Sequence, residues 1–307
     1  MGDYIRTAKP DLISFDSYWF GQNKPSNFRG SRGMAEGLLN YRRHALAGVD
    51  GAGMEPIAFG QFTQGYRWDG MYTLTESQIR LYYFMTWTYG GRWLNWFRWL
   101  QGDDEGMGSQ PTTWSMLLEN GLPRMPSEAM GWTSKANQES RNWGPYLVRL
   151  KTTDIRFVAG APGTDTGTIG ATPAWDQNAD PYLRSISGSL LGPEHTGQQA
   201  DLYVGYFQVI PAAEGGDPAF FRDPNAQFFM ITNGFTSKDH KTAHDARQQV
   251  TLEIDLGGNP PRFIKQIDRQ TGLAQMAPVT ALGGGRFRLV TELPGGTGAL
   301  YMLTTSP

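Results

Sequence analysis

Cysteine is absent from the 307-residue chain. That excludes disulfides, thiolate metal centres and cysteine nucleophiles, and it leaves the compartment open. Charge is also scarce. Charged residues make up 18% of the chain and the formal net charge is −2, so no basic footprint marks a nucleic-acid or anionic-membrane partner. No apolar run approaches the ~20 residues of a membrane span, and no signal-type apolar stretch follows Met1. Histidine numbers four. His240 and His244 have the spacing of a helical metal pair, but they lie in a polar stretch between two expected strands, and zinc needs more ligands. That stretch reads as a solvated loop. Gly51-Ala52-Gly53 has no strand-to-helix context for a phosphate loop, and no Gly-x-Ser-x-Gly elbow occurs. No cofactor is expected.

Aromatic residues, at 13%, are abundant. Ten tryptophans are present, and those from Trp68 to Trp132 are crowded together. Such density suits flat-face recognition, of sugar rings for instance, and it also suits a core built of large side chains.

Along the chain, the first half alternates strands with helices. Leu12–Phe15 reads as a buried strand that ends at Asp16, followed by a helix over Ser31–Ala47 with Met34, Leu38, Leu39 and Leu46 at helical spacing. Pro56–Phe62 is a second buried strand. Thr73-Leu-Thr-Glu76 offers a capping box for a helix over Glu76–Tyr89 that is apolar almost all round, the pattern of a helix held between two layers. Arg92–Trp99 forms a third strand, residues 101–134 a long loop, and Ala136–Lys151 a helix kinked at Gly144-Pro145. Three such units imply a parallel sheet with right-handed crossovers, either one edge of an open sheet or the last portion of a barrel. From Asp154 onward the apolar runs become short and turn-bounded: Asp154–Val158, Leu202–Ile210, Gln227–Thr232, Val250–Leu256, Phe263–Asp268, Arg286–Thr291 and Ala299–Leu303. This predicts an antiparallel β-sandwich over 153–307, with Gly160–Gly197 as a surface excursion.

Several stretches resemble the last third of a (β/α)8-barrel glycoside hydrolase. They are Lys9-Pro-Asp-Leu-Ile-Ser-Phe-Asp-Ser-Tyr18, Tyr41-Arg-Arg43, Pro56-Ile-Ala-Phe59, Thr75-Glu-Ser-Gln-Ile-Arg80 and Tyr89-Gly-Gly91. Trp143-Gly-Pro-Tyr-Leu-Val-Arg-Leu-Lys-Thr-Thr-Asp154 resembles the final barrel helix running into a C-terminal β-domain, and Leu293-Pro-Gly-Gly-Thr-Gly-Ala-Leu-Tyr301 the end of that domain. The resemblance implies an α/β portion over 1–152 holding the sixth, seventh and eighth strands of a TIM-type (β/α)8 barrel, apparently truncated at its N-terminus, followed by the β-sandwich. It also implies hydrolysis of a glycosidic bond in a carbohydrate, export from the cytoplasm, and the missing N-terminal barrel half as a partner. In the large retaining clan of such enzymes the acid/base and nucleophile are glutamates ending strands four and seven. Strand four is not in this sequence, and the strand-seven end carries Gln61, an amide that cannot attack an anomeric carbon. A non-catalytic carbohydrate-binding protein, or an inactive fragment, is therefore the alternative.

Glycoside hydrolysis needs two carboxyl groups about 5 to 9.5 Å apart. Polar groups at the carboxyl ends of parallel strands are where α/β folds place their chemistry. The catalytic candidates are accordingly Asp16 and Asp69. Asp103–Glu105 read as a solvated run, and Glu55 precedes its strand. Tyr18, Gln61, Gln64 and Asn95 are expected to bind hydroxyls, and Trp19, Trp68, Trp96 and Trp99 to supply stacking surface. Which tryptophan of the third strand faces a ligand is not fixed by alternation alone.

Overall fold

The computed structural model describes residues 1–20, 30–67, 73–97, 114–115, 118–119, 122–123, 127–164, 170–257 and 262–307. After a short helix α1 (Gly2–Ala8), strand β1 (Leu12–Asp16) leads to helix α2 (Gly30–Ala47), and β2 (Ala58–Gln64) to helix α3 (Glu76–Thr88). Strand β4 (Trp93–Phe97) follows α3. These strands form a parallel sheet in the order β1-β2-β4, with Phe15 opposite Gln61 and Gln61 opposite Leu94.

At the carboxyl end of β2, Gly65 donates its N–H to Phe97 O at 2.7 Å. The chain then enters β3 (Tyr66–Arg67), which pairs with β5 (Trp114–Ser115), and β5 continues through β6 (Leu118–Glu119) to β7 (Leu122–Pro123). The expected long loop therefore contains a small antiparallel sheet. The helix after it is α4 (Glu128–Leu147), eight residues earlier at its start than apolar spacing suggests. Ser127 is its N-cap and Glu128 sits in the first turn, where a carboxylate meets the positive helix end. Pro145 lies inside its last turn without ending the helix.

The second half is antiparallel. Strands β8 (Leu150–Val158), β10 (Leu202–Val209), β11 (Gln227–Asn233), β13 (Phe263–Ile267), β14 (Ala274–Met276) and β17 (Gly298–Thr304) form one sheet, in the order β14-β13-β17-β11-β10-β8. Strands β9 (Leu183–Leu190), β12 (Gln248–Asp255), β15 (Val279–Gly283) and β16 (Arg286–Leu293) form another, in the order β15-β16-β12-β9. Strand β9 lies in the segment expected to be a surface excursion. Its inward residues are Leu183, Ile186 and Leu190, and a register shift at Glu253/Ile254 breaks the strict alternation a sequence reading relies on.

Four layers result. The four-stranded sheet packs Val250, Leu252 and Leu289 against Val204, Phe229 and Tyr301 of the six-stranded sheet. The other face of the six-stranded sheet presents Phe207, Phe228, Met230 and Met302 to the helices. Alternation along β10, β11 and β17 feeds both cores at once.

Helix α3 lies between the parallel and six-stranded sheets, so twelve of its thirteen residues are buried. This is the physical reason its sequence has no polar face. Its N-terminal capping box pairs Thr75 with Gln78, whose Oε1 accepts from Thr75 N at 3.0 Å, rather than Thr73 with Glu76. Two glycines let the β-strands approach it. A Cβ on Gly205 would sit 2.1 Å from Thr88 O, and one on Gly296, at φ +65°, 2.0 Å from Ser77 O. Polar ties add direction: Thr88 Oγ1 meets Thr232 Oγ1 at 2.7 Å, and Trp143 Nε1 of α4 donates to Ile267 O at 3.1 Å. The buried pair Arg32–Asp201 joins α2 to the start of β10.

Candidate functional site

The parallel sheet has one covered side and one open side among the described residues. Ile13, Phe15, Phe59, Gln61, Thr63 and Trp96 are buried on the helix side. The alternate positions Leu12, Ser14, Asp16, Ala58, Phe62, Trp93, Asn95 and Phe97 are half-buried or exposed. Strand alternation sets these two groups apart, and parallel register aligns them across the sheet. One row is Asp16–Phe62–Asn95, each the partner of the next. With strands ~4.8 Å apart, the outer two Cα atoms are roughly 10 Å apart.

An exposed carboxylate at the end of β1 and an exposed amide in the middle of β4 thus flank the half-buried ring of Phe62. Aromatics continue the surface: Phe62 packs edge-to-face on Trp93 at 4.9 Å, and Tyr18 stacks with Phe97 at 6.4 Å.

The covered side fixes this face from behind. Trp19 donates its backbone N–H to Tyr82 Oη at 3.4 Å and its indole N–H to Gln61 Oε1 at 3.5 Å. Gln61 in turn donates to Thr86 Oγ1 at 2.7 Å, and Thr86 to Tyr82 O at 2.6 Å. The segment leaving β1 is therefore anchored to α3 through Trp19, just after Asp16 and Tyr18. Trp96 Nε1 donates to Tyr83 Oη at 2.8 Å, and Tyr83 donates to Asn137 Oδ1 at 2.7 Å. Burial, partly offset by the Trp96 bond, pushes the Tyr83 hydroxyl up to about 12, so it remains a proton donor.

Trp19, Gln61 and Trp96 consequently occupy core positions, which corrects their expected place at a ligand. For Gln61 and Trp96 the physical reason is parity, since each lies one residue from an open position of its strand, and for Trp19 it is the tie to Tyr82 and Gln61. Gln64 is also fully buried, at the end of β2. Asp16 and Asn95 are exposed, where a ligand can touch them, whereas Tyr18 is half-buried with its hydroxyl oxygen buried. Trp68, Asp69, Trp99 and Asp103–Glu105 lie outside the described residues. Phe62, Trp93 and Phe97 were not singled out by sequence reasoning. The signal that finds them is the register of β2 with β4, a tertiary fact.

His240 sits beside Glu194, with Nε2 3.6 Å from Oε1, in the loop whose Ser237 carbonyl accepts from Thr75 Oγ1 at 2.7 Å. That loop seals the N-terminus of α3 against the β-strands, and His244 belongs to a single 3-10 turn beyond it. Among the described residues no group of three or more His, Cys, Asp or Glu is placed to hold a metal.

No protein-family model matches the chain, and no curated protein matches it. Among solved structures the chain is similar to a GH27 β-L-arabinopyranosidase from Geobacillus stearothermophilus, at 12% identity and a TM-score of 0.25. The match covers 99% of this chain and 60% of the other, so this chain spans less than two thirds of that structure's length.

Proposed function

We propose that this chain is a glycoside hydrolase-like protein that engages a carbohydrate on the open face of its parallel sheet. The observation that carries the reading is the row Asp16–Phe62–Asn95. A pyranose presents an apolar C–H face and a rim of hydroxyls. Phe62, extended by Trp93, suits the first; Asp16 and Asn95 suit the second. In this reading Asp16 acts as general acid or base, and Asp69, following β3 in sequence, is the second carboxylate that hydrolysis requires. The two antiparallel sheets form the β-sandwich of such an enzyme, braced on α3.

The test is release of reducing ends from a panel of aryl glycosides and polysaccharides by the full chain, with Asp16→Asn alongside. Asp16→Asn should abolish release; full turnover in that variant removes Asp16 from the mechanism.

A second reading, carbohydrate binding without turnover, is favoured by one specific observation. Gln61, expected at the strand end where the resembled enzymes carry a nucleophile, lies in the middle of β2 and is an amide committed to Thr86 and Trp19, so no carboxylate of β2 takes that place. Glycan binding with no release over days selects it.

A further inference from the structure

A second cavity, of about 100 Å³, lies in the β-rich half, against the outer edge of β8. Its wall on one side is β8 at a bulge. The register of β8 with β10 shifts between Tyr206 and Phe207, so that Tyr206 faces Asp154 and Phe207 faces Thr152. Thr153 is the extra residue. Consecutive residues of a regular strand point to opposite faces, yet Thr153 and Asp154 both line the cavity. The bulge has re-aimed them.

The opposite wall is Trp175. The segment before it docks on the β8 edge, where Trp175 N donates to Phe157 O at 2.8 Å and Phe157 N to Pro173 O at 2.9 Å. The indole is then fixed by Asp180, whose Oδ2 accepts from Trp175 Nε1 at 2.8 Å and from the Tyr206 hydroxyl. Asp180 Oδ1 accepts from Tyr182 N and Leu183 N. Its four acceptor sites are filled, so Asp180 is the anchor of the wall and not a ligand group.

The groups left to meet a ligand are the remaining edge of the guanidinium of Arg156, Asp154, Asp176 and the Thr153 hydroxyl. Arg156 Nε is held by Asp154 Oδ2 at 2.6 Å, which orients the outer nitrogens of the fork. Asp176 Oδ1 accepts from Asn178 N at 2.9 Å and closes the turn that borders the cavity.

We propose that this cavity binds one neutral sugar ring, with the Trp175 indole against its C–H face and the Arg156–Asp154 pair and Asp176 bonding vicinal hydroxyls. A guanidinium beside a carboxylate offers adjacent donors and acceptors, as a diol does, and the half-buried Trp175 indole, fixed at its N–H and packed on the core of the β-rich half, turns its remaining surface to the cavity. The larger polar groove across the 176–181 turn, about 290 Å³, has Arg184 facing Asp255 and no aromatic wall. It lacks a platform for a ring. This site goes beyond the reading of the parallel-sheet face and does not depend on it.

The experiment titrates the full chain with D-glucose, D-galactose, D-mannose and D-xylose, up to tens of millimolar, and with choline. It follows tryptophan fluorescence and saturation-transfer NMR. Arg156→Ala, Asp176→Ala and Asp16→Asn are compared with the parent, and melting curves confirm folding. Asp176 is exposed, so its variant remains informative if Arg156→Ala does not fold. The expected result is saturable binding of at least one sugar, with a component that Arg156→Ala and Asp176→Ala each weaken about tenfold or more and that persists in Asp16→Asn. The proposal is overturned by no saturable sugar binding, by binding that Arg156→Ala and Asp176→Ala leave intact, or by binding lost only in Asp16→Asn. Choline binding without sugar binding, abolished by Asp176→Ala, also overturns it.

Discussion

Removal of Arg32 should be among the most damaging single changes outside the aromatic core. Its guanidinium donates from Nε to Asp201 Oδ2 at 2.7 Å and from Nη2 to Oδ1 at 3.0 Å. The Asp201 side chain is 1% exposed and that of Arg32 14%. After Arg32→Met the carboxylate keeps one recorded backbone donor, Gly160 N at 2.7 Å. An ionised carboxylate left buried with one neutral donor costs about 3–5 kcal/mol. The guanidinium also lies over Phe157, 5.8 Å from its centroid, but the thioether of methionine keeps most of that packing.

At roughly 2 °C per kcal/mol for a chain of this size, Tm should fall by about 6–10 °C. The double variant Arg32→Met/Asp201→Asn should recover much of the loss, because no charge is then stranded. Differential scanning calorimetry of the four proteins closes the cycle. A drop of less than about 2 °C for Arg32→Met, or a double variant no better than the single, would refute the account, since water would then be reaching Asp201.

Gly296→Ala should cost about 2–5 kcal/mol, through left-handed strain of roughly 1–2 kcal/mol and overpacking of roughly 1–3 kcal/mol against Ser77 O; a near-parental urea midpoint would contradict the close approach of that turn to α3. Gln61→Leu should lower stability by about 1–3 kcal/mol, because Thr86 and Trp19 lose a buried partner, while KM for any sugar substrate stays unchanged; a selective rise in KM would return Gln61 to the ligand. Asp223 is held below the usual carboxylate range: burial alone would raise it, but bonds from Thr305 N, the Thr304 and Thr305 hydroxyls and Asn225 N outweigh burial. Its contribution is therefore complete above its unfolded pKa of about 3.9 and is lost as pH falls through the lower folded value. Asp223→Asn should be less stable at neutral pH and show a shallower loss of stability below about pH 4 by chemical denaturation. A parallel pH curve would remove Asp223 from acid unfolding.

Local pattern was enough to find elements where one rule governed. Leu12–Asp16 is short, apolar and bounded by Pro10, and β1 spans those residues. Met34, Leu38 and Leu39 fall on one stripe of α2 and are buried. The all-round apolarity of Glu76–Thr88 announced a helix between layers. Pattern failed where a second constraint interfered. Strand β9 carries serines at Ser185, Ser187 and Ser189 and a register shift, so its inward set does not alternate cleanly. Strands β5 to β7 are two residues each, too short for any period.

The sequence by itself determined the three longer parallel strands and the helices that follow them, the change to antiparallel grammar near residue 150, and the lack of thiol chemistry. It also put Asp16 at a strand end. Which side of the sheet each residue faces was decided only in the tertiary structure. Trp96 and Asn95 are neighbours in sequence, and nothing local says which one faces α3. The parallel register and the apolar flank of α3 decide it: bringing the Trp96 indole within 2.8 Å of Tyr83 Oη satisfies a buried donor and leaves Asn95 at the open face. The cavity at Trp175 has the same origin, since a bulge that aims Thr153 and Asp154 together exists only once β8 is paired with β10.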